Sequence, residues 1–117
     1  MPKADEVRLR HMLDAGREAL GYVQGRSRAD LESDTMLARA VVRCLEIIGE
    51  AAARTSEATR SRYNQVPWAE MVGMRNSLIH AYFDIDLDTV WATLMDDLPP
   101  LIAKVEAILA AAHASGS

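Results

Sequence analysis

The chain has 117 residues and a formal net charge of −4, half of its residues are hydrophobic, and aromatic residues are few. This length suits one domain with a real hydrophobic core, and the composition favours helices over sheets. The acidic balance excludes holding nucleic acid by overall charge, so action on RNA would need a local cationic patch. The single cysteine, Cys44, excludes an intramolecular disulfide and a thiolate metal site.

The sequence offers no signal for a membrane, a metal or a cofactor. The first residues lack the apolar run of a signal peptide, and no segment approaches the ~20 apolar residues of a membrane span. Asp84, Asp86 and Asp88 alternate, but they lack the glycine and the terminal glutamate of a calcium loop and are interpreted as helix-capping residues. We therefore expect a cytoplasmic protein with no metal, no cofactor and no membrane association.

Hydrophobic periodicity predicts a series of helices along the chain. In chain order they are a helix over residues 5–25, a short connection over 27–31, a long helix from 33 or 34 to 53 or 54, a short helix within 56–65, a helix over 68–83 and a last helix over 89–112. Pro99 and Pro100 fall inside the last helix and predict a kink or a restart there. These elements predict an all-α, antiparallel bundle of four or five helices, forming one domain over residues 1–112 with a frayed tail over 113–117.

The long second helix carries a charged stripe beside its apolar face, made of Arg39, Arg43, Glu46 and Glu50. Such a stripe is usually a solvated surface, on which Arg43 and Glu46, or Glu46 and Glu50, are ordinary neighbours. The alternative is that the stripe faces the polar segment around residue 75 and tunes its chemistry. The spacing alone leaves both interpretations open.

The most concentrated polar chemistry lies in residues 75–82, inside the aliphatic segment 68–83. On a continuous helix, Arg75 would stack with Tyr82 and Asn76 with His80, on neighbouring faces. Arg75 and His80 would lie about 140° apart around such a helix. Either the helix loosens near Ile79, or the two groups flank a ligand from opposite sides.

These residue types suit the cleavage of RNA without a metal. His80 can act as a general base near neutral pH, and Arg75 can hold a phosphate and stabilise its developing charge. The imidazole would take the proton of a 2′-hydroxyl, which attacks the adjacent phosphorus to give a 2′,3′-cyclic phosphate. An arginine and a histidine five residues apart also occur by chance, and a histidine near a helix end is more often structural.

Three segments together are more specific than this pair. They are residues 45–52 (LEIIGEAA), 66–68 (VPW) and 73–83 (GMRNSLIHAYF), followed by VW at 90–91 and DLP at 97–99. With them the chain resembles the HepT-like branch of the HEPN superfamily over residues 5–110. The resemblance implies an all-α bundle that dimerises through the motif helices, bringing two copies of the site together.

The resemblance also implies a function and assigns residues to it. Members of this branch are ribonuclease toxins of type VII toxin–antitoxin pairs, and their antitoxin is a minimal nucleotidyltransferase of the MntA type. Arg75 and His80 match the catalytic pair, and Asn76 matches a polar support residue that could orient the His80 ring from one helical turn away. Tyr82 matches the tyrosine that the antitoxin modifies with AMP from ATP. The match at residues 45–52 places Glu46 and Glu50 near the site, together with Arg43.

One departure from the family pattern is Ala81, where many relatives have glycine, which restricts the backbone between His80 and Tyr82. The rival to a toxin is a HEPN domain that no longer cuts RNA and serves as a binding partner of the nucleotidyltransferase. The retention of Arg75, His80 and Tyr82 favours the nuclease, whereas the acidic net charge favours the binding partner.

Overall fold

The computed structural model describes residues 1–80 and 84–116, and at residues 80, 115 and 116 the description is of the backbone. Its α-helices are α1 (Lys3–Val23), α2 (Arg28–Ser33), α3 (Thr35–Arg54), α4 (Glu57–Arg62), α5 (Trp68–Val72), α6 (Met74–Leu78), α7 (Leu87–Ala92) and α8 (Leu98–Gly116). A π-helical turn, Thr93–Asp97, joins α7 to α8. Two strands of two residues each, β1 (Ile79–His80) and β2 (Asp84–Ile85), complete the described elements. The prediction of an all-α bundle is confirmed, but the eight described α-helices exceed the predicted four or five, because predicted connections and long helices divide into shorter ones.

The core lies where α1 packs between α3 and α8. Both neighbours run antiparallel to α1. Asp5 contacts the chain just beyond the end of α3, and Arg17 and Glu6 of α1 pair with Glu106 and His113 of α8, respectively. Each helix buries the stripe that its spacing predicts. The large side chains that are almost fully buried in this core include Leu9, Met12, Leu45, Ile48, Leu94 and Leu98.

The start of α1 is fastened to the start of α4 by one buried carboxylate. Asp5 accepts hydrogen bonds from the backbone N–H of Ser56 at 3.0 Å and from the hydroxyls of Ser56 and Thr59, each at 2.5 Å. Burial acts to raise the pKa of Asp5, but these hydrogen bonds outweigh it, and the pKa lies below its usual 3.8. The N-terminal turn of the chain is therefore fixed to a residue 51 positions away.

The two short strands form an antiparallel pair directly after α6. Ile79 is the register partner of Ile85, and His80 is that of Asp84. The backbone N–H of Asp86 then donates to the carbonyl of Leu78 at 2.8 Å. Asp86 also caps α7, because its carboxylate accepts from the backbone N–H of Thr89 at 3.1 Å. The predicted capping role is confirmed for Asp86, whereas Asp84 lies in β2 and Asp88 lies inside α7 and accepts a hydrogen bond from Arg28.

The prolines of the last helix follow an irregular turn. The backbone N–H of Leu98 reaches back five residues to the carbonyl of Thr93, which makes Thr93–Asp97 π-helical. Pro99 and Pro100 lack backbone N–H groups, so they cannot donate the hydrogen bonds of a regular α-helix at these two positions. The irregularity that the prolines predict is thus present, immediately before them, and α8 then continues to Gly116, beyond the predicted end at Ala112.

The predicted connection over residues 27–31 is wrong, because residues 28–33 form α2. The backbone N–H of Ser27 donates to the Asp30 carboxylate at 2.7 Å, which caps this short helix. Leu31 is almost fully buried and attaches it to the core. Among the described helices, none is long and apolar enough to cross a membrane.

Candidate active site

The predicted helix over residues 68–83 is wrong, and its breaks decide how the polar residues are presented. Gly73 separates α5 from α6, and α6 ends at Leu78, because Ile79 is extended (φ −122°, ψ 121°) and pairs with Ile85. The β-branched Ile79 favours this extended conformation. Of the two alternatives for this segment, loosening of the helix near Ile79 is therefore the one that occurs.

The end of α6 changes the relation between Asn76 and His80. A stacked pair four residues apart requires a continuous helix, and α6 stops between them, so the predicted one-turn stacking is wrong. Asn76 is exposed, and its side chain makes no hydrogen bond with the residues that the structure describes. His80 lies in β1, opposite Asp84. Tyr82 and the predicted stacking of Arg75 with Tyr82 lie outside the described residues.

Arg75 and Glu46 form the central contact of the site. The Nε of Arg75 lies 3.0 Å from Oε2 of Glu46 in an ion pair that joins α6 to α3. The Glu46 side chain is only 20% exposed, whereas that of Arg75 is 61% exposed. A largely buried carboxylate thus lies against the Nε edge of the guanidinium, and the two terminal nitrogens have no partner among the described residues. Those nitrogens can bind a phosphate end-on with two hydrogen bonds.

The charged stripe of α3 divides between two partners. Glu46 turns toward Arg75, while Arg43 pairs with Glu50, two turns further along α3, at 3.3 Å. The Arg43–Glu50 pair is more than half exposed on both sides and contributes little to stability. Neither of the two interpretations therefore holds for the whole stripe: Glu46 contacts the polar segment, whereas Arg43 and Glu50 lie at the solvent-exposed surface. Only Glu46 contacts the motif helix α6 through an ion pair in the described residues.

Gly49 is the residue of this region that sequence reasoning missed. A Cβ atom at Gly49 would lie 2.8 Å from the carbonyl oxygen of Met71, so the backbone of α5 lies directly against α3. This approach fixes where α6 begins and where Arg75 meets Glu46. The signal was present in the sequence as a glycine inside a strong helical pattern, which often marks a close backbone approach.

Other reactive groups do not extend the site. Burial raises the pKa of the Cys44 thiol to about 11, with the carboxylate of Glu18 adding to the effect, so the thiol stays protonated near neutral pH. Within residues 1–80 and 84–116, no group of three or more His, Cys, Asp or Glu residues is arranged to hold a metal ion.

The all-α fold and the polar segment on α6 and β1 together define the class of protein. A family model described as ribonuclease HepT-like matches residues 12–108, and the chain belongs to this family. It is a ribonuclease of the HepT type. The family prediction made from the three sequence segments is confirmed.

Relatives agree with this assignment. The chain is 40% identical, over 101 residues, to a candidate RNase of Caldanaerobacter subterraneus subsp. tengcongensis, covering 86% of this chain and 90% of the relative. It is 35% identical, over 97 residues, to a candidate RNase of Methanocaldococcus jannaschii, covering 83% and 89%. A probable ribonuclease HepT of Thermococcus cleftensis is 45% identical over 67 residues, which are 57% of this chain and 61% of that protein. No solved structure matches the chain.

Proposed function

We propose that the chain is a cytoplasmic, metal-independent RNA endonuclease that uses Arg75 and His80 as its catalytic pair. His80 takes the proton of the 2′-hydroxyl, and the 2′-oxygen attacks the adjacent phosphorus. The bond from phosphorus to the 5′-oxygen breaks, and that oxygen takes a proton from the imidazolium or from water. The products carry a 2′,3′-cyclic phosphate and a 5′-hydroxyl, and DNA, which has no 2′-hydroxyl, is not cut.

The observation that carries this proposal is the Glu46–Arg75 ion pair. It engages the Nε edge of Arg75 and leaves the terminal guanidinium nitrogens open to solvent, five residues before His80. A guanidinium held in advance loses little freedom when it binds a phosphate, and it can stabilise charge that develops on the non-bridging oxygens. Asn76, exposed beside Arg75 on α6, is proposed as a polar support residue that contacts the substrate or His80.

The direct test is cleavage of a single-stranded RNA by the purified protein in the presence of EDTA, with analysis of the product ends. We expect 2′,3′-cyclic phosphates, no cleavage of a strand with 2′-deoxy sugars, and loss of cleavage in His80→Ala at unchanged thermal stability. In cells the same variant relieves growth inhibition. Toxicity that persists in His80→Ala removes this residue from the mechanism.

We further propose that the chain is the toxin of a type VII toxin–antitoxin pair and acts as a homodimer. The antitoxin is a minimal nucleotidyltransferase, and the hydroxyl of Tyr82 attacks the α-phosphorus of ATP, releases pyrophosphate and retains AMP. The added phosphodiester and nucleoside place negative charge and bulk two residues from His80, where RNA would have to bind. Family membership supports this proposal.

Intact mass and peptide mapping test the switch. The protein co-expressed with the neighbouring gene product should gain one or more AMP units on Tyr82 and lose RNase activity. The alternative function is an inactive binding partner of the nucleotidyltransferase, which the net charge of −4 favours. A stable complex without a mass change, together with no cleavage by the free protein, would establish that alternative.

A further inference from the structure

A groove of about 600 Å³ adjoins the Glu46–Arg75 pair and lies between α2, α3 and the two short strands. Its apolar lining consists of Leu31, Ala38, Val42, Ile79, Ile85 and Leu87. Its polar lining consists of Glu32, Thr35, Arg39, Glu46 and Asp84. Because Glu46 belongs both to the groove and to the ion pair, the groove opens directly onto the candidate active site.

The apolar lining forms a continuous surface. Ala38 and Val42 stand one turn apart on α3 and are buried, so they form the deep part of the groove. Ile79 and Ile85 are register partners, and side chains of directly opposed residues lie on the same face of a strand pair. This surface suits the flat face of an unstacked nucleobase, which is bound largely by apolar contact and dispersion.

Charge in the groove is unevenly compensated. Glu46 is neutralised by Arg75, and Glu32 by Arg28, whose Nη1 donates to it at 2.9 Å. Arg39 is exposed and has neither an ion pair nor a hydrogen bond among the described residues. It is therefore the available cation of the groove, and among the described residues Asp84 is the one lining carboxylate that makes no ion pair. Arg39 precedes Glu46 by seven residues, about 10.5 Å along α3.

We propose that this groove is a nucleotide subsite for single-stranded RNA, with one base on the apolar surface and a neighbouring phosphate held by Arg39. The proposal rests on the proposed function, since a strand enters the groove while its scissile phosphate lies at Arg75. The base must be free of stacking to reach the surface, so the subsite selects unpaired over duplex RNA. Arg39 thus supplies the local cation that an acidic RNA-binding chain requires.

Binding to an RNA that cannot be cleaved tests the contribution of Arg39 separately from catalysis. The probe is a fluorescent 2′-O-methyl 12-mer of mixed sequence, titrated by anisotropy at several salt concentrations. Arg39→Ala should weaken binding about tenfold and lower the salt dependence by about one released ion. The matched control is Arg54→Ala, which removes the same charge from the same helix about 22 Å away. Equal affinities of the two variants would overturn the subsite.

Methyl NMR of the unsubstituted protein tests the position of the base. The 12-mer should shift the methyl signals of Val42, Ile79 and Ile85, whereas inorganic polyphosphate, which carries charge without bases, should not. Shifts with both probes, or with neither, would overturn the base contact. The cleavage assay separates the two proposals, because a protein that cuts RNA while Arg39→Ala behaves like Arg54→Ala keeps its function and loses only the subsite.

Discussion

The carbonyl oxygen of Met71 lies 2.8 Å from the position that a Cβ atom of Gly49 would occupy. Cβ atoms in proteins essentially never lie so close to a backbone oxygen. Glycine at this position therefore allows the backbone of α5 to pack directly against α3. Gly49 follows Glu46 by about one turn, and Met71 precedes Arg75 by four residues. The contact between two backbones therefore sets the distance at which the two charged side chains meet.

Gly49→Ala should destabilise the protein and separate Arg75 from Glu46. The new methyl group must push the Met71 carbonyl away, at a cost of about 1–3 kcal/mol in the free energy of unfolding. Gly21→Ala is the matched control, because nothing lies within 4 Å of a Cβ there and alanine is the better helix former. Thermal unfolding and RNA cleavage measure both effects. A Gly49→Ala protein as stable as Gly21→Ala would contradict the close approach.

Glu46→Gln should lower kcat about tenfold without raising KM. The amide keeps the shape of the side chain and one acceptor, but it holds the guanidinium less firmly in the orientation that the transition state requires. It also removes a negative charge that repels RNA phosphate, so binding should not weaken. Steady-state kinetics on a defined RNA give both constants.

Glu50→Gln is the control for this measurement, since Glu50 lies on the same helix and, among the described residues, pairs only with the exposed Arg43. Its kinetics should match those of the unsubstituted protein. If the two variants behave alike, or if Glu46→Gln raises KM at constant kcat, Glu46 does not position Arg75 for catalysis.

Asp5→Asn should lower the free energy of unfolding at pH 7 by about 1–2 kcal/mol, because charge-assisted hydrogen bonds become neutral ones. The pKa of Asp5 is lowered in the folded protein, so its stabilisation is present above the unfolded-state pKa and is lost as pH falls through the folded-state pKa. The difference between the two proteins should therefore shrink below about pH 4. Urea unfolding of both proteins from pH 3 to 7 measures this difference in the free energy of unfolding.

Asp14→Asn serves as the control, because Asp14 is exposed on the same helix and has no partner among the described residues. Its effect should stay within about 0.5 kcal/mol at every pH. A constant difference between Asp5→Asn and the unsubstituted protein down to pH 3 would show that the carboxylate charge is not what fastens α1 to α4.

Tyr82→Phe should keep RNase activity and growth inhibition but escape neutralisation by the partner enzyme. Phenylalanine lacks the hydroxyl that would accept AMP, while the ring keeps its size. Growth of cells that express the variant with and without the partner measures this. Neutralisation as complete as for the unsubstituted protein would indicate control by binding instead of modification.

The long helices α1 and α3 and the short helix α4 were predictable from the sequence, whereas α2 and the two strands were not. Helices α1 and α3 begin and end within two residues of the predicted positions, because their apolar stripes recur over five or more turns. The segment over 68–83 has the same kind of spacing, but there Ile79 pairs with Ile85, six residues on and outside the segment, and this strand pair ends the helix. Hydrophobic periodicity does not reveal that strand pairing competes with helix formation in this segment.

The site was predictable in its residue types but not in its contacts. Spacing placed Glu46 on a charged stripe with Arg43 and could not decide what that stripe faces. The answer depends on Gly49, whose missing side chain lets α5 come close enough for Arg75 to reach Glu46. Such a contact follows from packing of distant segments, which local patterns do not encode.

The hydrogen bonds that Ser56 and Thr59 donate to Asp5 have a consequence for folding during synthesis. A ribosome delivers Asp5 51 residues before Ser56, so the carboxylate stays without its partners while the whole of α1 and α3 is synthesised. Helix α4 has six residues, too few to persist alone in water. The Asp5 carboxylate therefore cannot join α1 to α4 until Ser56 and Thr59 have been made, and a nascent chain that ends before them lacks this closure.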